Sequence, residues 1–184
     1  MKRKQIALWV APVLFACSTL SGLALDFETN ANPSKWFMYP MKKGLKTVLA
    51  GEKLDGKSVM EFDFRPVAGH SRILLPIGKA FKSISFKIKG LDDAKRKSVD
   101  LMLVESDPAG AEKHYKTLKF NGEWQSFTIT PGDLRIFPYG GSKIVDKKLD
   151  VNNTLYLQMN CYPGGAHFLM SDIQIEYEDA APAK

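Results

Sequence analysis

Histidines are few in this sequence, and no group of residues has a known catalytic spacing. The chain has three histidines, which lie far apart: His70, His114 and His167. None belongs to a His-Glu-x-x-His metal motif, and there is neither a Gly-x-Ser-x-Gly elbow nor a phosphate-binding glycine loop. Glycoside hydrolysis uses two carboxylates about 5–10 Å apart, for which Asp63 with Glu61 or Asp100 could serve. A small polysaccharide-active hydrolase or lyase therefore stays as the least favoured alternative.

Two segments of alternating polarity each place a row of polar or aromatic side chains on one face. The first row is Tyr156, Gln158 and Asn160. The second row is Glu61, Asp63 and Arg65. Aromatic rings lie against the apolar faces of sugars, whereas amide, carboxylate and guanidinium groups hydrogen-bond the hydroxyls. If both rows lie on one concave sheet they line a groove; the alternative is that they form only the solvated face of an antiparallel sheet.

Two loops add tyrosines beside flexible residues. Tyr139 precedes Gly140 and Gly141, and Tyr162 precedes the turn Pro163-Gly164-Gly165. Binding residues concentrate on loops held by a rigid scaffold, so both tyrosines are candidates to flank the groove. The alternative is that each tyrosine packs back on the core.

Strands have to position these candidates, because short alternating segments separated by Gly, Pro, Asn and Asp run from residue 25 to about 178. In segment 83–89 the apolar residues face one way and the polar residues the other, as in a half-buried strand. The other predicted strands are 46–50, 60–65, 72–77, 99–105, 115–120, 125–129, 154–160 and 168–177. Strands at this spacing predict an all-β, two-sheet antiparallel β-sandwich.

Three short motifs resemble the galactose-binding-like jelly rolls found among bacterial carbohydrate-binding modules. Leu25-Asp26-Phe27-Glu28 followed by Trp36 resembles their opening strand. Segment 122–134, with Trp124 before an alternating strand and Asp133-Leu134 after it, resembles their central segment, and 171–175 resembles their closing strand. The resemblance implies a jelly roll, with both tryptophans in framework positions. It does not fix a ligand, because one sandwich hosts many binding tasks.

The same resemblance implies a structural metal. In such modules the first and last strands lie side by side, and acidic residues from both often hold calcium. The matching residues are Asp26, Glu28 and Asp172. Calcium takes about six to eight oxygen ligands, and the alternative is that these acids are solvated residues at strand ends. A metal that binds only the folded state would stabilise the chain.

Residues 1–24 have the pattern of a signal peptide, because three cations precede an apolar stretch and small residues follow it. The small residues predict a cut between Ala24 and Leu25. One alternative is a retained membrane helix, which Pro12 disfavours because a spanning helix needs about 20 predominantly apolar residues. The other is a lipoprotein anchored through Cys17, since the residues before it resemble a lipobox.

Removal of the leader leaves one domain, predicted at 25–178, and a tail at 179–184 that is predicted to be disordered. Cys161 is then the one cysteine left, so no internal disulfide is expected. The formal charge of +6 includes the three leader cations, and the remaining charges are interspersed, which does not indicate nucleic-acid binding.

These features predict a secreted or periplasmic, non-catalytic module whose ligand is carbohydrate. Lys42, Lys43 and Lys46 together with the basic run 95–97 indicate acidic polysaccharide as a secondary ligand. The main alternative is a structural or protein-interaction sandwich of the cell envelope, in which the same polar face meets a protein partner.

Overall fold

The alternating segments form strands in the structure, a computed structural model that describes residues 22–39, 45–75, 81–91, 93, 97–105, 112–138, 147–150, 154–162 and 165–178. The strands are β1 Gly22–Leu25, β2 Phe37–Tyr39, β3 Lys46–Leu54, β4 Lys57–Asp63, β5 Gly69–Leu74, β6 Phe81–Gly90, β7 Ser98–Glu105, β8 Lys113–Lys119, β9 Gln125–Ile129, β10 Arg135–Ile136, β11 Thr154–Cys161 and β12 His167–Tyr177. The helical segments of these ranges are two 3-10 turns, Pro33–Lys35 and Pro131–Asp133. Within the same ranges no helix has the length and apolar character needed to span a membrane.

The strands form two antiparallel sheets of six strands each. Sheet A has the order β3-β4-β12-β6-β9, and β1 pairs with β12 beside that path. Sheet B has the order β10-β8-β7-β11-β5-β2. Strand β12 is central in sheet A because it pairs with β6 along one edge and, along the other, with β4 in its first half and β1 in its second half. The architecture is the predicted jelly-roll β-sandwich.

The core lies between the sheets because each strand turns alternate apolar side chains inward. Ile84, Ile88 and Ile175 of sheet A are fully buried in the same cluster as the inward residues of β7 and β11. The ring of Phe62 stacks on Phe168 at 5.1 Å between centroids and meets Trp36 edge-on at 5.2 Å. The indole N–H of Trp36 donates to the Ala31 carbonyl at 2.9 Å, so Trp36 lies in the framework position implied for it.

The predicted strands correspond to observed strands, and three further strands were not among them. The segment predicted at 125–129 has those bounds in the structure, and 72–77 is displaced to Gly69–Leu74. The additional strands are β2, β10 and β1, which lies at Gly22–Leu25 where the resemblance had placed the opening strand at 25–28. Strands this short contain too few residues to show alternation, so their pairing with neighbours decides them.

The chain ends predicted from sequence fall mostly outside the described residues. Residues 1–21, with Cys17, and the tail 179–184 are outside them. Residues 22–24, the last of the predicted leader, are paired with β12 in β1. The predicted cut between Ala24 and Leu25 therefore falls within a strand.

Candidate functional site

The outward face of sheet B carries three rows of side chains that run across its strands, and we call these rows the sheet B face. The first row is Tyr39, His70, Asn160, Asp100 and Thr117. The second row is Phe37, Arg72, Gln158, Met102 and Tyr115. The third row is Leu74, Tyr156, Val104 and Lys113. Registered antiparallel strands bring directly opposite side chains into contact, so each row is a continuous ladder.

Aromatic rings hold Arg72 near the centre of the sheet B face. The Arg72 guanidinium carbon lies 4.9 Å from the centroid of the Phe37 ring and 4.6 Å from that of the Tyr156 ring. Both distances are within the range of cation–π attraction. Phe37 is 42% exposed, so its ring remains accessible to a ligand.

Tyr39 stacks on His70 in the neighbouring row. Their ring centroids are 5.5 Å apart with an interplanar angle of 23°, and Tyr39 is 59% exposed. Burial, followed by the positive charges of Arg72 and Lys113, lowers the pKa of His70 to about 4. His70 is therefore neutral at physiological pH, and its ring can serve both as a stacking surface and as a hydrogen-bonding group.

Polar groups lie between these rings. Gln158 is buried and donates through Nε2 to the Met102 sulfur at 3.4 Å. Asp100 accepts a 2.6 Å hydrogen bond from the Thr117 hydroxyl. At the β8–β10 edge the face continues into a polar hollow of about 480 Å³, which Tyr115, Thr117 and Arg135 help to line.

The predicted binding residues divide between the two sheets. Tyr156, Gln158 and Asn160 lie together on β11, and Tyr162, which is 38% exposed, follows the end of that strand. The other predicted group, Glu61, Asp63 and Arg65, lies elsewhere. Glu61 and Asp63 belong to β4 of sheet A, and Arg65 follows the end of that strand. The two rows do not line one groove, because β4 belongs to sheet A whereas β11 belongs to sheet B. Tyr139 lies outside the described residues.

Glu61, Asp63 and Arg65 instead form an ion-pair network on the outward side of sheet A. Arg65 donates to both oxygens of Asp63, from Nε at 2.8 Å and from Nη2 at 2.7 Å, and Nη1 pairs with Asp93. The His167 ring bonds Asp93 at 2.8 Å and Glu61 at 2.8 Å. The hydrogen bonds from Arg65 lower the pKa of Asp63 although burial opposes this. These groups satisfy one another, which favours a structural role.

The acids implied as calcium ligands line one hollow of about 240 Å³ at the β1–β12 junction. There Lys57 pairs with Asp172, and Lys53 pairs with Glu28 at 3.1 Å. Asp26 Oδ1 accepts the Glu28 backbone N–H at 2.8 Å. Calcium would have to displace two ammonium groups, so these contacts do not assemble its ligand set. Calcium binding at this place stays a prediction.

Among the described residues, one other group of possible metal ligands lies where β7 ends and β8 begins. Ligand atoms of Glu105, Glu112 and His114 all fall within 4.8 Å of one another, and the three side chains are buried. His114 Nε2 is 3.3 Å from Glu105 Oε1, and backbone N–H groups of Lys147 and Asp150 donate to the two carboxylates. Two carboxylates and an imidazole are a donor set that zinc accepts.

Sequence reasoning missed the residues that complete the sheet B face: Phe37, Tyr39, His70 and Arg72. Phe37 and Tyr39 belong to a three-residue strand that follows a 3-10 turn. A signal was present, since the pairs Phe37-x-Tyr39 and His70-x-Arg72 both have the spacing of one strand face. What the sequence could not supply was that β2 pairs with β5.

The fold is that of the jelly-roll carbohydrate-binding modules. The family 11 module from Clostridium thermocellum in complex with a β-1,3-1,4-mixed-linked tetrasaccharide has a TM-score of 0.69 at 18% identity, over 84% of this chain and 95% of that chain. The family 11 module of a cellulosomal cellulase from that organism gives 0.70 at 17%, over 90% and 100%. The family 22 xylan-binding domain from Paenibacillus barcinonensis gives 0.54 at 16%, over 86% and 95%. No protein-family model and no curated protein matches the sequence. At these identities the likeness shows the fold.

Proposed function

We propose that this protein is an exported, non-catalytic module that binds carbohydrate on the sheet B face. The observation that carries the proposal is the grouping of accessible rings with hydrogen-bonding side chains on one pre-formed surface. The exposed rings are those of Phe37 and Tyr39, with the half-buried ring of Tyr156 beside them, and Asn160 and Arg72 supply the polar groups. The solved modules with this fold include one whose ligand is a mixed-linked tetrasaccharide.

The arrangement suits an extended sugar chain. Neighbouring strands lie about 4.8 Å apart, so β2, β5 and β11 span roughly 10 Å. Beyond them the row residues of β7 are buried, and two of these, Met102 and Val104, pack with Phe137. Rings on β2 and β11 stand at two places along this span and can each cover the apolar face of a sugar unit. Because Arg72 and Tyr39 are held by stacking, little side-chain freedom remains to be lost on binding.

The acids of the sheet B face favour binding without turnover. Along the described part of the three rows the carboxylate is that of Asp100, which is buried and bonded to Thr117. Glycosidases use a pair of carboxylates on opposite sides of the scissile bond. The pair Glu61 and Asp63 lies on the other sheet, within the ion-pair network. We therefore propose reversible adsorption.

Export is supported by the leader pattern of residues 1–24. Secretion or release to the periplasm, or lipid anchoring at Cys17, would place the sheet B face where extracellular glycans are available. Fractionation of cells that produce the full chain, with mass spectrometry of the mature N-terminus, tests this part independently of binding. A chain that keeps residues 1–21 and stays in the cytoplasm would contradict it.

Affinity electrophoresis of the leaderless chain against soluble polysaccharides tests binding. We expect retardation by at least one polysaccharide, and its loss in Tyr156→Ala. The matched control is Val48→Ala, a truncation of an exposed residue on the outward side of sheet A, which should bind like the wild type. A chain that remains folded and binds none of a broad panel would refute the proposal. Reducing ends released by the wild type but not by Asp100→Asn would refute the non-catalytic part.

A further inference from the structure

Arg72 is a half-buried cation that has no hydrogen-bond or ion-pair partner among the described residues. Its Nε atom is buried and has no hydrogen-bond partner, and its contacts are the rings of Phe37 and Tyr156. Within the described residues no carboxylate forms an ion pair with it. Buried donors are satisfied in nearly all folded proteins, and those that are not require an explanation. The terminal Nη nitrogens of Arg72 are not among the fully buried atoms, so a ligand that accepts hydrogen bonds from them would give the guanidinium its missing partners.

Neighbouring groups make the centre of the sheet B face electropositive. Burial and the charge of Arg72 lower the pKa of Lys113. The Nε2 atom of His70 is also buried without a hydrogen-bond partner. Lys119 and Arg135 add cations at the β8 side. The acids described near them are Asp100, within the rows, and Asp133, which pairs with Lys116 at 2.8 Å. Cations crowded in a partly dry site disfavour one another, and a bound anion removes that cost.

We propose that the carbohydrate bound by the sheet B face is an acidic polysaccharide, and that Arg72 binds the anionic group of its sugar units. This inference rests on the proposed function and names the ligand class. A carboxylate or a sulfate presents a pair of oxygens that can accept two parallel N–H hydrogen bonds from the planar guanidinium. Phe37 and Tyr156 fix the plane of that fork. The exposed rings then cover the apolar faces of the adjoining sugar units.

Matched ligands provide the first test. Binding of the leaderless chain is measured by isothermal titration calorimetry at 150 mM NaCl with polygalacturonate, with the same polymer fully methyl-esterified, and with a neutral mixed-linked β-glucan. Alginate and dextran sulfate distinguish carboxylate from sulfate as the source of the anion. We expect at least one acidic polymer to bind 10-fold or more tightly than the neutral polymers, and expect affinity to fall as salt rises. Because only the ligand changes, folding of a variant does not affect the outcome.

Matched variants provide the second test. Arg72→Met removes the charge and should weaken acidic-polymer binding at least 10-fold, whereas Arg72→Lys keeps the charge, loses the fork and should give an intermediate loss. Arg65→Met, on sheet A, is the arginine control and should bind like the wild type. Circular dichroism checks that each variant is folded.

The outcomes separate the two proposals. Three results would overturn the acidic ligand and leave carbohydrate binding intact: no acidic polymer bound more tightly than the neutral polymers, preference for the neutral glucan, or acidic-polymer binding that Arg72→Met leaves unchanged. Binding of no polysaccharide would overturn both.

Discussion

Truncation of Tyr39 to alanine should weaken carbohydrate binding about 10-fold while leaving the fold intact. Tyr39 is 59% exposed and stacks on His70, so one face of its ring is open to a ligand. A sugar that covers this face removes about 50–60 Å² of apolar surface from water, which at roughly 25 cal/mol per Å² is worth about 1.4 kcal/mol. That free energy corresponds to about one order of magnitude in Kd.

The same variant should lose little stability. The stacked pair with His70 contributes about 0.5–1.5 kcal/mol, and β2 is an edge strand of sheet B. The unfolding midpoint should therefore fall by only about 1–6 °C. A large loss of affinity with a small loss of stability distinguishes a ligand-contacting ring from a ring that supports the fold.

The assay is calorimetric titration with the polysaccharide that the electrophoresis panel identifies. Tyr39→Phe keeps the ring and should bind within about threefold of the wild type, because stacking uses the ring and not the hydroxyl. Val48→Ala controls for loss of an exposed apolar side chain elsewhere. If folded Tyr39→Ala binds within twofold of the wild type, the sugar does not lie on this ring and the assigned face is wrong at β2.

The remaining predictions concern stability and are each checked by melting curves. Gly165→Ala should cost about 3 kcal/mol or more, because φ is +42° and a Cβ would collide with the backbone of Phe64 and Arg65, whereas Gly56→Ala, with φ +78° and open space, should cost about 1 kcal/mol. The folded-state pKa of Asp63 is lowered, so its contribution to stability is present above its unfolded pKa near 4 and is lost as pH falls through the folded-state pKa. Arg65→Gln should therefore flatten the decline of the unfolding midpoint below about pH 4. An unchanged pH profile would contradict the stabilising role of the Arg65–Asp63 pair. Calcium bound as predicted requires that EDTA lowers the midpoint and added calcium restores it; an unchanged midpoint would leave the lysine pairs as the stabilising contacts of that hollow. A chain that begins at Leu25 should melt about 2–6 °C below one that begins at residue 18, because three of the four paired residues of β1 are then missing; equal midpoints would show that β1 adds nothing.

The fold was predictable because most strands carry their own evidence. In β6 the sequence alternates over residues 83–89, and that alternation alone separates the inward face from the outward face. The β9 bounds follow from the same pattern, since Trp124 precedes the strand and Pro131 follows it. Local periodicity and turn residues therefore suffice for fold class.

The candidate site was predictable only in part, because it depends on which strands are neighbours. Alternation on β11 brought Tyr156, Gln158 and Asn160 together correctly. It gave β4 an equally plausible row, with nothing in the sequence to say that β4 lies in the other sheet. Pairing across strands is set by the packing of the whole core, and a period of two residues carries no information about it.

The contrast between the two outward faces explains why the ligand is assigned to only one of them. On sheet A the charged groups satisfy one another: Arg65 with Asp63, His167 with Glu61, and Lys87 with Asp55. Such a face has little to gain from a ligand, because binding would first have to break contacts already made. On sheet B the guanidinium of Arg72 lies against two aromatic rings and makes no hydrogen bond or ion pair among the described residues. A face that retains unsatisfied donors beside exposed rings gains free energy when a polar, ring-shaped ligand covers it, and that difference follows from the contacts alone.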